Sequence, residues 1–200
     1  MNYLWEGKMR KVYADYDEEG VYVYQAFRPK IVQVAVEKGT FGKGFGLDRI
    51  TWIKPSLAWT LQRSKYATKN RMTAIARIKL SHSAWLEILT NSIQTQFDEC
   101  LYSDEDEWQS KLNKSDIIHQ WDPERAHTGI KLNRAAIQIG LRGQAIRDYV
   151  DKWIIAVEDL TPLAHEIGKA AKNKQPLPVN IPEEKEYPLE NKLQNLLGCR

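Results

Sequence analysis

The sequence predicts an α+β fold, a single domain in which helices flank a mixed or antiparallel sheet that is either continuous or split. Segments rich in β-branched and aromatic residues, VYVYQAF (21–27), MTAIARIKLS (72–81) and RAAIQIGL (134–141), read as strands. Helical patterns separate them in an irregular order, whereas a doubly wound parallel sheet needs a regular alternation.

The elements follow in order along the chain. Strand 21–27 precedes a helix that has Pro29 in its first turn and stops at Gly39. In IIHQWDPER (117–125), Pro123 predicts a turn that projects Asp122 and Glu124 outward. The other predicted elements are a strand at 49–54, a helix from Pro55 to about residue 65, a strand at 72–81, helices at 83–97 and 105–115, a strand at 134–141, a short helix at 143–150 and, at 153–161, a last strand or a helix-to-strand segment.

Composition limits the organisation and the class of protein. With 42% apolar residues, the chain predicts one globular domain over 1–168, followed by a Pro-rich, charged tail over 169–200 with a short terminal helix. No apolar run is long enough for a membrane span, and the start, MNYLWEGKMRK, lacks the apolar core of a secretory signal, so we expect a cytoplasmic protein.

Metal and redox chemistry have little support in the sequence. The two cysteines, Cys100 and Cys199, form no CxxC pair, and the four histidines are scattered, so neither a disulfide framework nor a metal site is predicted. The glycine-rich GTFGKGFG at 39–46 follows a helix and lacks GxGxxG, so the dinucleotide-binding fingerprint and the phosphate-binding loop of nucleotide triphosphatases are both excluded.

Positive charge is concentrated in one segment. Between Asp48 and Glu87 there is no acidic residue, although eight Lys and Arg side chains lie there, so this segment is a candidate site for an anion. The alternative is a solvated basic face that the acidic run DEDEWQ (104–109) balances in space.

The stretch RITWIKPSLAWTLQRSK (49–65) provides most of the candidate site. Trp52 and Trp59 flank Lys54 and either stack on an aromatic ligand or pack in the core. Ser56, near a helix N-terminus, suits an anion such as phosphate or serves as a plain helix cap. Lys54 and Arg63, joined by Arg49, are expected to hold an anionic ligand, with internal ion pairs to the acids of QWDPER as the alternative.

A second group of candidates comes from the following strands. Asp122 and Glu124 beside Arg125 suggest a general base with its orienting group. Arg134 and Gln138, four residues apart on a strand, share one face, which lines a cleft or faces solvent. We predict that Lys54 and Arg63 meet Asp122 and Arg125 in one site, because the acid-free segment needs a countercharge or a bound anion.

The segments VYVYQAF, RITWIKPSLAWTLQRS, IHQWDPER, RAAIQIGL and VDKWIIAVEDLTP together resemble a family of bacterial and fungal proteins known as domain of unknown function 4291. Residues 21–80 are also similar to the front half of ADP-ribosyltransferase-like domains, which hold a nicotinamide dinucleotide in a split sheet. That resemblance implies ligand contacts for Tyr24 and Gln25, and a catalytic role for Gln138 or Glu158. Tyr24-Gln25 replaces the usual Arg or His of the first strand.

The function expected from these patterns is that of a nucleotide-handling enzyme, with NAD as the candidate substrate and glycosyl transfer or cleavage as the reaction. The rival expectation is a non-catalytic module that binds RNA or DNA through the same basic, aromatic surface. A protein-interaction domain whose basic and acidic halves pair is the third hypothesis.

Overall fold

The computed structural model describes residues 9–200, and within them the chain forms an α+β fold. Residues 1–8, which hold most of the start that lacks a secretory pattern, lie outside the described part. The strands are Met9–Arg10 (β1), Tyr13–Ala14 (β2), Gly20–Phe27 (β3), Thr51–Ile53 (β4), Ala74–Ser81 (β5), Ile93–Gln94 (β6), Ile117–Arg125 (β7), Lys131–Leu141 (β8), Ile154–Asp159 (β9) and Lys185–Glu186 (β10). The α-helices are Pro29–Lys38 (α1), Leu57–Ser64 (α2), His82–Thr90 (α3), Glu105–Lys114 (α4), Gly143–Asp148 (α5), Thr161–Asn173 (α6) and Asn191–Leu196 (α7), and a π-helical turn at Tyr149–Trp153 follows α5.

Two main sheets form the centre of the fold. One is antiparallel, in the order β3-β5-β9. The other is mixed: β8 lies between β7 and β4, β6 runs parallel to β7, and β1 runs parallel to β8. The expectation of an α+β fold with a mixed sheet is therefore confirmed.

Within residues 9–200, one isolated bridge joins the two sheets, between Tyr24 of β3 and Lys54, which follows β4. The backbone N–H of Tyr24 donates to the carbonyl of Lys54 at 2.7 Å. Beside this bridge, the buried amide of Gln25 donates to Thr51 Oγ1 at 2.8 Å and accepts from the Tyr149 hydroxyl at 2.9 Å. Polar side chains thus join the two sheets next to Lys54.

Helix α2 is fixed over this junction by its cap and by its apolar face. Ser56 is the N-cap, and its hydroxyl accepts from the backbone N–H of Trp59 at 3.2 Å. Leu57 and Leu61 are fully buried in a small cluster with Ile75. Burial of such a side chain stabilises the fold by about 1.5–3 kcal/mol. The position of Lys54 and Ser56 therefore depends on packing below them.

Three local expectations need correction. The predicted helix 83–97 ends at Thr90, because Asn91 Nδ2 donates to the Glu87 carbonyl at 2.8 Å and Ser92 Oγ to the Leu89 carbonyl at 2.9 Å, which closes the last turn. Pro123 lies within β7, opposite Ala135, at an irregularity in the strand pairing, and not in a turn. The helix expected from Pro55 starts at Leu57, because Ser56 is its cap.

The C-terminal part of the chain packs against the rest. The expected boundary at residue 168 falls within α6, β10 pairs with β2, and Tyr187 and Leu197 belong to the main core. Trp121 Nε1 donates to the Leu197 carbonyl at 2.8 Å. A terminal helix, α7, is present as expected. Among the described residues, no helix combines the length and the apolar character needed to cross a membrane.

Candidate functional site

One face of β7 and β8 carries polar side chains and is covered by α2. Alternation along each strand puts Gln120, Asp122 and Glu124 of β7 on this face, and Arg134 and Gln138 of β8. Gln120 lies directly opposite Gln138 in the pairing, so the side chains meet across the strands. The face of Arg134 and Gln138 therefore lines the interface with α2.

Lys54 is the central cation of the site. Its ammonium group lies 4.4 Å from the centre of the Trp59 ring, a cation–π contact. Burial lowers the pKa of Lys54 to about 8; Asp122 opposes this shift and the nearby Arg63 adds to it. Among residues 9–200, no protein group forms a hydrogen bond or an ion pair with the Lys54 ammonium.

Asp122 faces Lys54 and is held from both sides. Gln120 Nε2 donates to one carboxylate oxygen at 2.8 Å, and Gln138 Nε2 donates to the other at 2.6 Å. Burial raises the pKa of Asp122, while the Gln120 hydrogen bond and the charges of Lys54 and Arg63 lower it. The result is a fixed carboxylate next to an amine of depressed pKa, the arrangement of an acid–base pair.

A second carboxylate, Glu124, lies beside the start of α2. Ser56 Oγ donates to one oxygen of Glu124 at 3.0 Å, and Arg134 Nε donates to the other at 2.5 Å. Arg134 also stacks over the Tyr13 ring, with 4.0 Å between its guanidinium carbon and the ring centre. Ser56 and Arg134 therefore both bind an internal carboxylate, Glu124, which is 1% exposed.

Glu184 occupies the N-terminus of α2. The backbone N–H of Leu57 donates to Glu184 Oε1 at 2.7 Å. Burial raises the pKa of Glu184 to about 8, and the charge of Glu124 contributes in the same direction. The position expected to suit a phosphate beside Ser56 thus contains the chain's own carboxyl group. The sequence does not single out Glu184, because the acidic stretch PEEKE (182–186) in a Pro-rich segment is typical of charged residues exposed to solvent.

Arg63 and Arg125 lie on the exposed side of the site. Arg63, in the last turn of α2, is exposed and close enough to Lys54 and Asp122 to act on the pKa of both. Arg125 Nη1 donates to the Gly129 carbonyl at 3.0 Å in the β7–β8 hairpin, which packs against Gln62 of α2. Lys54, Arg63 and Asp122 are thus brought together, and Arg125 lies at the adjoining hairpin.

Other predicted site residues lie in the sheet junction or the loop before it. Tyr24 is fully buried, and its hydroxyl donates to Asp15 Oδ2 at 3.4 Å. In the junction, the Gln25 amide donates through Nε2 to Thr51 and accepts through Oε1 from Tyr149. Trp52 packs over Gly140 of β8, where an added Cβ would lie 3.2 Å from its ring. Arg49 is exposed in the loop before β4, next to Gly46.

The two candidate catalytic residues lie in different sheets. Gln138 is 8% exposed and donates to Asp122. Glu158, on β9, accepts from Arg77 Nη1 at 2.9 Å and lines a separate cleft of about 450 Å³ beside α6. In the sequence Arg77 is only one cation of the basic segment, whereas in the structure it also donates to Asp15 Oδ2 at 2.5 Å.

Metal binding has no support in the described part of the chain, where no group of three or more His, Cys, Asp or Glu side chains is suited to hold an ion. Another open cleft, of about 420 Å³, lies between α3 and α5 and is lined by Glu87, Asp116 and Asp148. Its lining includes none of Lys54, Trp59, Arg63 and Asp122, so this cleft is not part of the Lys54 site. We place the candidate site at Lys54 because a partly buried cation that has no hydrogen-bond or ion-pair partner within residues 9–200 is the stronger sign of a ligand.

The comparisons with known proteins identify a family and no activity. None of the curated proteins matches the chain. The family model described as Domain of unknown function (DUF4291) matches residues 11–187, which include every residue of the candidate site named above. The chain therefore belongs to the DUF4291 family.

Proposed function

We propose that this protein is a nucleotide-handling enzyme whose site is formed by Lys54, Asp122, Trp59 and Arg63. The observation that supports it is the Lys54 ammonium, which is partly buried against Trp59 yet bonded to no protein acceptor among the described residues. A cation in that state stabilises the fold poorly. It is suited to an anionic ligand that supplies the missing acceptors.

A nucleotide has the two chemical features that this site matches. Its phosphates would pair with Lys54 and with the guanidinium of Arg63, which can donate two parallel hydrogen bonds. Its base would stack on Trp59 or on the plane of a neighbouring aromatic side chain, a contact worth about 1–3 kcal/mol in single-strand complexes.

The proposed reaction is glycosyl transfer or cleavage, with NAD as the substrate. In this reaction the bond between nicotinamide and ribose breaks, nicotinamide leaves with the bonding electrons, and an acceptor oxygen bonds to the ribose carbon. Asp122 takes the proton of the acceptor, and Gln138 and Gln120 hold its carboxylate in place. The single bridge between the sheets at Tyr24 and Lys54 is compatible with an ADP-ribosyltransferase-like cleft.

Binding is tested with NAD, ADP-ribose and AMP by calorimetry on the wild type and on Lys54→Met. The matched control is Lys172→Met, an exposed lysine of α6. We expect binding that Lys54→Met weakens at least tenfold and the control leaves unchanged. Release of nicotinamide, followed by chromatography, tests the reaction. Equal binding by both variants, or none by the wild type, contradicts the proposal.

A further inference from the structure

The turn that follows α2 has an unusual backbone. Lys65, Tyr66 and Ala67 are consecutive residues in the left-handed region, with φ values of 52°, 55° and 60°. Side chains other than glycine disfavour this region, and a run of three is rare. Such conformations persist only where the surroundings fix them, and they cluster at functional sites.

The surroundings do fix this turn. Ser64 accepts backbone N–H groups with both of its oxygens, through Oγ from Ala67 at 3.1 Å and through its carbonyl from Lys69 at 2.9 Å. Tyr66 anchors the turn to the β7–β8 hairpin, because its hydroxyl donates to the His127 carbonyl at 3.0 Å and accepts from Gln62 Nε2 at 2.7 Å. The turn is therefore a rigid support for the side chains that it presents.

Several cations lie on this turn and beside it. We use the name basic rim for six cations at the end of α2, on the segment after it and on the adjoining hairpin: Arg63, Lys65, Lys69, Arg71, Arg125 and Lys131. No ion pair involves any of the six within residues 9–200. Within that range, Glu107 of the acidic run 104–109 pairs with Lys111 inside α4 at 2.5 Å, and no ion pair joins the run to the rim.

We infer that the basic rim binds the phosphodiester backbone of a single nucleic-acid strand and leads it to the Lys54 site. Repeated phosphates supply negative charge for a group of cations that make no ion pair within residues 9–200 and that lie on and beside a fixed turn. Arg63 belongs both to the rim and to the site, so a strand on the rim reaches Asp122 and Trp59. The inference rests on the proposed function, since it names the class of acceptor that is presented to the same site.

The test uses fluorescence polarisation with a labelled 12-nucleotide poly-uridine RNA and the matching poly-thymidine DNA, over a series of salt concentrations. Each phosphate neutralised on a single strand contributes about −0.7 to the slope of log affinity against log salt. The variant Lys65→Gln/Lys69→Gln/Arg71→Gln should reduce the slope by about 2, on that same scale. The control Lys30→Gln/Lys38→Gln/Lys43→Gln removes the same charge from exposed positions on and after α1.

The inference predicts that the rim variant weakens binding at least tenfold while the control keeps the wild-type affinity and slope, and that both melt near the wild type. A preference between the two strands shows whether RNA or DNA is the source of the phosphates. Equal weakening by both triple variants would reduce the effect to net charge and overturn the inference, as would an absence of wild-type binding at low salt. Lys54→Met separates the two proposals. If this variant loses nucleotide binding but keeps the wild-type salt slope for the strand, both proposals are supported. If the wild type binds the strand through the rim but binds no nucleotide at Lys54, the proposed function alone is wrong.

Discussion

The carboxyl group of Glu184 caps helix α2 by accepting the backbone N–H of Leu57 at 2.7 Å. Glu184 precedes β10, which pairs with β2, so the contact joins the C-terminal segment to the edge of the candidate site. The pKa of Glu184 is raised to about 8 by burial and by the charge of Glu124. Folding therefore couples this helix end to the protonation of a carboxyl group that is distant in the sequence.

The first prediction is that stability falls between pH 5 and pH 8 because of Glu184. Its pKa is higher in the folded protein than in the unfolded chain, so the folded state binds more protons in this window and loses stability as the pH rises. A tenfold change in the acid dissociation constant corresponds to ~1.36 kcal/mol, so the loss of stability amounts to a few kcal/mol. Glu184→Gln keeps an acceptor for Leu57 and cannot ionise.

Urea unfolding at pH 6 and pH 8.5 measures this difference. The wild type should lose more free energy of unfolding than Glu184→Gln over the interval. Glu124, Asp15 and Arg134 also face Glu184, and the pKa of Glu124 is raised as well. The free energy of unfolding of Glu184→Gln should therefore still fall with rising pH, but less steeply than that of the wild type. Identical slopes for the two proteins would show that Glu184 is not the group responsible.

The second prediction concerns the reactivity of Lys54. With its pKa near 8, a far larger share of this amine is unprotonated at pH 8 than for an exposed lysine. Modification by an amine-reactive ester, located by mass spectrometry across a pH series, should give a midpoint well below that of an ordinary lysine, whose pKa is ~10.4. Asp122→Asn removes the charge that raises the Lys54 pKa, so the midpoint should fall further. A midpoint that rises in Asp122→Asn would contradict the assigned pairing.

The third prediction is that Gln138 positions Asp122. Gln138→Leu removes the donor to a largely buried carboxylate oxygen, so the free energy of unfolding should fall by about 1–3 kcal/mol. The pKa of Asp122 should rise as well, because a hydrogen bond to its ionised form is lost. Gln33→Leu, on the exposed face of α1, is the control. A pH profile of activity that stays unchanged in Gln138→Leu would limit Gln138 to packing.

Local patterns predicted much of this fold. β3, β5 and β8 follow from β-branched and aromatic runs, and Ser56 follows from the preference of helix N-caps for hydroxyls. The association of Lys54 with Asp122 followed from charge alone, since a segment without acids needs a partner elsewhere.

The features that local sequence patterns do not predict depend on which strands pair in the folded protein. Glu184 reaches α2 only because β10 pairs with β2, two strands of two residues each, which carry no periodic pattern. Pro123 gave a turn signal, but its neighbours pair with β8 and leave the missing N–H at a strand irregularity. The roles of Gln138 and Glu158 likewise required strand order, which put them in separate sheets.

The last prediction separates ligand binding from stability at Arg63. This side chain is exposed at the C-terminal turn of α2, and within residues 9–200 it has no ion pair, so Arg63→Ala should lower the free energy of unfolding only by the helix-dipole contribution of about 0.3–1 kcal/mol. Arg63→Lys keeps the charge but loses the planar, two-donor guanidinium. If Arg63 holds a phosphate through two hydrogen bonds, calorimetry with the nucleotide that binds best should show weaker binding in Arg63→Lys and still weaker binding in Arg63→Ala.

The same variants leave Lys54 and Asp122 in place. Because the charge of Arg63 lowers the pKa of both groups, both pKa values should rise in Arg63→Ala. Variants that bind as the wild type does but melt several degrees lower would instead show that Arg63 stabilises the fold, and the phosphate site would then have to exclude α2.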